Sequence, residues 1–395
     1  MKYDVCVIGG CGHVGLPLAI VLADKGKNVC IYDTNEKSIE TIKSGVIPFF
    51  EENAEPLLAK VLASGKLHFS AKPDVVAESD TAVLIIGTPV DEHLNPKFRI
   101  MKEVIDGLMP YFYEGQLLIL RSTVYPGLSK RINDWFIAAG KKIHVAFCPE
   151  RILEGKALEE LESLPQIISS FTDEGVKRAA DLFSLLTTDL VYVEPMEAEL
   201  AKLFTNSWRY LKFAIANQFY MIANDYNIDF YNIYYAMTHN YNRTKDFPRP
   251  GFAAGPCLFK DTMQLAAFNN NNFHLGHTAM LINEGLPNYI VKQLKQQFTL
   301  SEMKVGILGM AFKAESDDIR ESLSYKLKKI LEIEAKKVLC ADPYVKDACI
   351  IDEAAVLQES DIIIIATPHK QYDNLNIKNK KVVDIWNVLK QGGKI

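Results

Sequence analysis

The first 150 residues alternate short apolar runs with longer stretches in which apolar residues recur every three or four positions. The runs at 5–8, 29–32, 82–86, 117–120 and 144–147 are short and continuously apolar, as strands buried on both faces are. Residues 16–25, between the first two runs, have helical spacing, and strands alternating with helices imply parallel pairing through helical crossovers. From Met196 to about Thr299 strand signals vanish, and apolar residues recur at three and four through 198–224. Phe204, Trp208, Tyr210, Phe213, Phe219 and Tyr220 give this stretch more aromatic surface than one neighbour needs. The surplus fits either a subunit interface or a buried connecting helix.

After Thr299 the opening pattern resumes. VGILGM near 305 parallels VCVIGG near 5, VLCADPYV parallels VCIYDTNE, and DIIIIATPHK parallels DTAVLIIGTPV. The chain therefore reads as an α/β protein with two Rossmann-like parallel-sheet domains joined by a central helical region with a long connecting helix. The divisions fall at 1–195, 196–299 and 300–395.

Behind the first apolar run stands Gly10-Cys11-Gly12-His13-Val14-Gly15, and about twenty residues on, a second run ends in Asp33. In that context Gly10 permits a tight turn, Gly12 lets backbone amides approach a pyrophosphate, and Gly15 lets a helix pack close to the strand. The helix N-terminus faces the phosphates. Asp33 would accept hydrogen bonds from ribose hydroxyls and repel a 2′-phosphate, which selects NAD over NADP. In the second half Gly309 stands alone, with Ala311 and Lys313 where further glycines would be wanted, so that half need not bind a dinucleotide; a related diphosphate suits it.

The 395 residues suffice for two or three domains, and a net charge of −5 offers no extended basic surface for nucleic acid. Seven cysteines, odd in number and without a C-x-x-C pair, read as reduced thiols of a cytoplasmic protein. The first strand begins almost at once, leaving no room for a signal peptide, and no apolar run reaches the ~18 residues of a membrane span. No metal and no membrane partner are expected.

The candidate chemistry lies in three places. Gly251-Phe-Ala-Ala-Gly255-Pro-Cys257-Leu-Phe-Lys260-Asp261 is a glycine-bearing loop that delivers a cysteine near a lysine and an acid. A thiolate nucleophile supported by Lys260 fits it, as does an inert core thiol. Glu150 and Glu154 in CPERILEG are four apart after a strand-like run, and Lys202 and Asn206 are four apart on one helical face. A carboxylate and an ammonium can share proton transfer and oxyanion stabilisation, although solvated helix faces look the same in sequence. The polar ends Gly87-Thr88-Pro89, Arg121-Ser122-Thr123 and Cys148-Pro149-Glu150 mark the sheet edge at which α/β proteins bind ligands.

Eight ordered blocks resemble the UDP-glucose/GDP-mannose dehydrogenase family of nucleotide-sugar 6-dehydrogenases over nearly the whole chain: GGCGHVG, GTPVDEH, RSTVYPG, CPERILEGKAL, AELAKLFTNSW, GFAAGPCLFKD, NEGLPNY and LGMAFKAESDDIRES. The resemblance implies a first domain that binds NAD, a middle that builds a homodimer or higher oligomer, and a last domain that holds the uridine diphosphate of a UDP-sugar. It implies Cys257 as nucleophile, Lys202 and Asn206 as oxyanion or proton-handling groups, Glu150 in acid/base work, Asp261 orienting water or the lysine, and Thr123 supporting a bound water. Cofactor contacts would come from residues 10–15, Asp33, Thr88, Pro89, Ser122, Thr123, Glu154 and, from the far domain, Arg320. Substrate contacts would come from Glu150, Arg151, Lys202, Asn206, Gly251, Phe252, Lys260, Phe312 and Lys313. Arg243 matches an arginine that some members donate to the neighbouring subunit's sugar nucleotide.

The implied reaction is two successive oxidations at C6, through a thiohemiacetal and a thioester, to a UDP-uronic acid. The CPER block and Arg243 resemble the branch acting on UDP-N-acetylhexosamines, such as UDP-N-acetylmannosamine or UDP-N-acetylglucosamine. ILEG and CLFKD resemble the UDP-glucose branch. Two other readings compete: a single-oxidation dehydrogenase of the hydroxyacid kind, and a non-catalytic sensor of NAD and nucleotide sugar.

Overall fold

The structure, a computed structural model, describes residues 2–91, 97–253, 255–377 and 380–395. Glu92 and His93 of the GTPVDEH block and Ala254 of GFAAGPC lie outside the described residues. The chain divides into two compact units, Met1–Phe204 and Thr205–Ile395.

The first unit holds β1 (Tyr3–Ile8), α1 (Gly15–Asp24), β2 (Val29–Tyr32), α2 (Glu36–Lys43), α3 (Ala54–Ala63), β3 (Leu67–Ser70), β4 (Ser79–Leu84), α4 (Phe98–Leu108) and β5 (Leu117–Leu120). It continues with α5 (Leu128–Ala138), β6 (His144–Phe147), α6 (Ala157–Ser163), β7 (Gln166–Ile168), α7 (Asp173–Phe183) and β8 (Leu190–Tyr192), then enters the 31-residue α8 (Pro195–Asp225). Six strands form one parallel sheet in the order β3-β2-β1-β4-β5-β6. Alternate residues explain why these strands read as unbroken apolar runs. Val5 and Val7 pack with Leu16, Leu18 and Phe183 on one face, while Cys6 and Ile8 pack with Ile105, Ile132 and Phe136 on the other. The strand order reverses between β1 and β4, and the carboxyl ends there open the crevice that such sheets use for ligands.

The second unit carries the rest of α8, α9 (Phe230–Thr238), α10 (Pro256–Phe268), α11 (His274–Gln297), β9 (Lys304–Leu308), α12 (Leu323–Glu334), β10 (Lys337–Ala341), α13 (Glu353–Glu359), β11 (Ile362–Ile365) and β12 (Lys381–Asp384). Its four strands are parallel, ordered β10-β9-β11-β12, so the repeat seen in the sequence is a repeat of topology. Leu286, Ile290 and Leu294 of α11 interleave with Leu323, Leu327 and Leu331 of α12 over this sheet. Among the described residues no strand lies between Tyr192 and Lys304, and no helix is long and apolar enough to cross a membrane.

Two details differ from the sequence reading. The strand expected at 82–86 starts at Ser79 and ends at Leu84, because the Ile86 amide leaves the ladder to donate to Ser122 Oγ at 2.8 Å. The short strands β3, β7 and β8, which polar residues interrupt or flank, gave no periodic signal. Helix α8 answers the question of its aromatic surplus by dividing it. Tyr210 and Tyr220 are fully buried, while Phe204, Trp208 and Phe219 are exposed and, with Ile215 and Ile222, form an apolar stripe at three, four and seven spacing. Its first turns belong to the first unit, where the Glu199 carboxylate accepts from the Gly127 and Ser129 amides at 2.5 and 2.9 Å and so caps α5.

Candidate active site

The turn between β1 and α1 is shaped by the space each glycine leaves. Gly9 has φ +74°, and a Cβ there would stand 2.0 Å from the Ile85 carbonyl oxygen, so the tight turn assigned to Gly10 belongs to Gly9. Gly10 is required for closeness: a Cβ would meet the Ile31 side chain and Val7 oxygen at 2.9 Å. At Gly15 a Cβ would lie 2.6 Å from Gly10 Cα, which is how α1 packs against the turn. Above Gly12 there is nothing within 4 Å. Val14 at the N-cap supplies no side-chain hydrogen bond to α1, and the His13 ring lies against Phe49 with centroids 4.1 Å apart. Asp33 accepts the Cys11 amide at one oxygen (3.1 Å) and the Asn35 amide at the other (2.9 Å) and, being only half-buried, can still meet a diol. An open cradle, an uncapped helix N-terminus and a half-buried carboxylate together fit a dinucleotide.

At the carboxyl edge of β4 and β5, Ser122 takes the Ile86 amide and Thr88 Oγ1 donates to the Thr123 carbonyl at 2.8 Å. The GTP and RSTV segments are thus tied to each other. Glu150, after β6, is 7% exposed, with both oxygens engaged: Oε1 accepts the Arg151 and Ile152 amides at 2.7 and 3.0 Å, and Oε2 pairs with Arg121. The guanidinium of Arg121 is wholly buried, donates also to the Cys148 carbonyl and Gln166, and stacks 4.5 Å over Phe183. Sequence reasoning named Arg121 only as part of the polar sheet edge and gave it no partner, although an arginine at the end of an all-apolar strand was a signal of one. Arg151 is spent on the Pro165 carbonyl, and burial lowers its pKa below the ordinary arginine range despite Glu150. Glu154 is half-buried.

The cysteines differ sharply in exposure. Among the described residues Cys257 is the exposed cysteine, in the first turn of α10 behind Pro256. Burial pushes Cys148 up to about 11 and Cys11, Cys30 and Cys340 up to about 12, so those thiols stay protonated at neutral pH. The helix N-terminus favours negative charge at Cys257. One turn further along α10, the Lys260 ammonium reaches Asp261 Oδ1 at 3.0 Å, and Asp261 Oδ2 accepts the Asn206 amide at 2.6 Å. Asp261 and Asn206 are buried, so α8 grips α10 through a polar bond shielded from water. Lys202 stands one turn before Asn206 on α8.

The remaining candidates of this unit are more scattered. Phe252 is buried, and Gly251 and Gly255 lie so close to Trp386 and Phe312 that a Cβ would meet those rings at 2.2 and 2.6 Å. Lys313 sits over the Phe312 ring at 5.7 Å. Arg320, more than half exposed, is chelated by Asp318 through Nε at 3.0 and 2.8 Å. Arg243 is exposed and donates to the Tyr241 hydroxyl at 3.1 Å.

Three domain descriptions of the UDP-glucose/GDP-mannose dehydrogenase family match the chain in order: the NAD binding domain over residues 3–187, the central domain over 196–285 and the UDP binding domain over 306–391. UDP-N-acetyl-D-mannosamine dehydrogenase of Methanocaldococcus jannaschii is 31% identical over 98% of this chain and 92% of its own length. The solved UDP-D-ManNAc dehydrogenase of Pyrococcus horikoshii superposes with a TM-score of 0.91 at 28% identity, covering 98% of this chain and 96% of that one. A UDP-glucose dehydrogenase from Pyrobaculum islandicum superposes almost as well, with a TM-score of 0.90 at 27% identity over 99% and 95% of the two chains. The cofactor is NAD, the reaction class is oxidation of CH–OH in a nucleotide sugar, and the chain belongs to the UDP-glucose/GDP-mannose dehydrogenase family.

Proposed function

We propose that the protein is a nucleotide-sugar 6-dehydrogenase that carries a UDP-N-acetylhexosamine through two oxidations to the UDP-uronic acid. The observation that carries the reading is the exposed thiol of Cys257 in the first turn of α10, one turn before the Lys260–Asp261–Asn206 chain of contacts. In this reading residues 1–195 bind NAD, 196–299 form a dimer through the exposed stripe of α8, and 300–395 hold the nucleotide.

NAD would supply the hydride acceptor, one NAD for each of the two oxidations. The C6 alcohol first gives up hydride and proton and becomes an aldehyde, which has no leaving hydride until a nucleophile makes its carbon tetrahedral. Cys257 Sγ then forms the C–S bond, and Lys202 and Asn206 stabilise the oxygen of the thiohemiacetal. Loss of the second hydride leaves a thioester, and water cleaves the C–S bond to return the thiol and release the carboxylate. Asp261 orients Lys260 and Asn206, and Glu150 organises the polar loop after β6 and serves the hydrolytic step. The N-acetylhexosamine choice rests on the CPER block, on Arg243 and on relatives named as UDP-N-acetyl-D-mannosamine dehydrogenases.

The test is a panel of UDP-N-acetylmannosamine, UDP-N-acetylglucosamine, UDP-N-acetylgalactosamine, UDP-glucose and GDP-mannose, with NADH counted per sugar consumed. Two NADH per UDP-N-acetylhexosamine and a stalled second half in Cys257→Ser are expected. One NADH per substrate would instead identify a single-oxidation enzyme, and full turnover to acid by Cys257→Ser would remove the nucleophile.

A further inference from the structure

The segment that presents Cys257 is held at two points by one helix face. Behind the thiol, Asn206 of α8 binds Asp261 at 2.6 Å. Ahead of it, Asn217 of α8 binds Gly251 on both sides of its backbone: the Gly251 amide donates to Asn217 Oδ1 at 2.7 Å, and Asn217 Nδ2 donates to the Gly251 carbonyl at 3.0 Å. Asn206 and Asn217 are eleven residues apart, about three turns, and so project from the same face. Asn217 is fully buried, oriented by its two bonds to Gly251, and its Nδ2 also donates to Asn283 Oδ1 of α11 at 2.9 Å, while Asn283 Nδ2 donates to the Tyr210 carbonyl at 3.2 Å.

The far side of Gly251 is closed as well. A Cβ on Gly251 would lie 2.2 Å from the Trp386 ring, and that ring is pinned by its own Nε1–H donating to the Ala366 carbonyl at 2.9 Å. Gly251 therefore has one position, between a buried amide and a fixed indole. Cys257 is thus flanked by two held points, Gly251 ahead of it and Asp261 one turn after it along α10. Asn217 has no titratable group and sits in the core, so its buried amide is explained by the Gly251 backbone it satisfies.

We propose that Asn217 is a positioning residue for the Cys257 thiol, required for the oxidation that uses sulfur and dispensable for the one that precedes it. The proposal rests on the nucleophile role of Cys257 given above. It predicts a split between the two halves of the reaction, because misplacement by about 1 Å costs on the order of a hundredfold in a covalent step.

The experiment compares full-length wild type, Asn217→Asp, Asn217→Ala, Asn283→Ala and Cys257→Ser with the best substrate of the panel. NADH per sugar, aldehyde trapped by semicarbazide, and the rate of Cys257 alkylation by iodoacetamide are read in parallel. Asn217→Asp keeps the acceptor for the Gly251 amide and loses both donors; Asn217→Ala loses all three bonds. For both, NADH per sugar should fall from two toward one, aldehyde should accumulate, and Cys257 alkylation should depart severalfold from wild type, while the first hydride step stays near wild type. Asn283→Ala, which leaves both Gly251 bonds in place, should keep the ratio at two.

Equal loss of both half-reactions in the Asn217 variants, an unchanged ratio, or failure of both variants to fold would assign Asn217 to the core alone and overturn the proposal. The same shift in Asn283→Ala would also overturn it, by showing general packing. If wild type yields one NADH, or Cys257→Ser yields two, the fault lies with the nucleophile reading and not with Asn217.

Discussion

The turn after β1 and the turn after β9 begin alike and end differently. Gly9 and Gly309 each leave their strand with positive φ, +74° and +91°, and each donates its amide to the last residue of the neighbouring strand, Tyr32 at 2.8 Å and Ala341 at 2.9 Å. One residue after those strands stand Asp33 and Asp342, which accept amides from the facing turn in the same way, Cys11 at 3.1 Å and Ala311 at 3.0 Å. From there the halves part. Gly10, Gly12 and Gly15 become Met310, Phe312 and Glu315. Asp33 is half-buried, whereas Asp342 is closed over by His369.

The His369 ring shows how the second acid is retired. Its Nδ1 accepts the Glu315 amide at 3.1 Å, so Nε2 carries the proton and donates to Asp342 Oδ2 at 3.1 Å. Asp342 also accepts the Met310, Tyr344 and Val345 amides at 2.6, 2.8 and 3.0 Å. Burial alone would raise this carboxyl, but His369 and the amides outweigh it and hold the pKa at about 2. One scaffold thus yields an acid that can receive a diol and an acid that braces its own fold.

The largest effect should come where the halves agree. Gly9→Ala and Gly309→Ala place a Cβ 2.0 Å from the Ile85 oxygen and 2.5 Å from Thr367 Cβ, and each should destabilise its unit by about 3 kcal/mol in urea unfolding. If one substitution were silent, the shared strand exit would be a coincidence of sequence.

Next come the acids. Asp342 carries stability that is full above its ordinary value of 3.8 and is lost as pH falls through about 2, an amount of about 2 kcal/mol. Asp342→Asn should flatten the acid limb of the stability curve between pH 4 and 2. Smaller still, Gly12→Val fills space that is open in the protein, so NAD affinity by fluorescence titration should fall about tenfold, or 1.4 kcal/mol, with the unfolding midpoint unchanged. Phe312→Ala should not alter NAD affinity at all. Last, Asp33→Ser should narrow the preference for NAD over NADP by several-fold, because it removes one repulsive charge from a half-exposed position.

Much of this was legible along the chain because it depends on neighbours in sequence. The strands at 29–32, 117–120 and 144–147 came from apolar runs, and the dinucleotide turn from glycines spaced within one strand-turn-helix unit. The boundary error at β4 and the missing β3, β7 and β8 have the opposite origin: they are settled by ladder partners far along the chain. The buried polar groups were the least visible. Arg121 with Glu150, Asn217 with Gly251, and Asp342 with His369 are 29, 34 and 27 residues apart.

The sequence by itself determined the α/β alternation, the NAD cofactor and the family, because each rests on local spacing or ordered motifs. Tertiary structure alone decided that Gly9 is the turn glycine, that one face of α8 stays exposed, and that Asp342 is sealed by a histidine. Those outcomes depend on which groups water cannot reach, and exclusion of water is a property of the packed chain and not of any stretch of it.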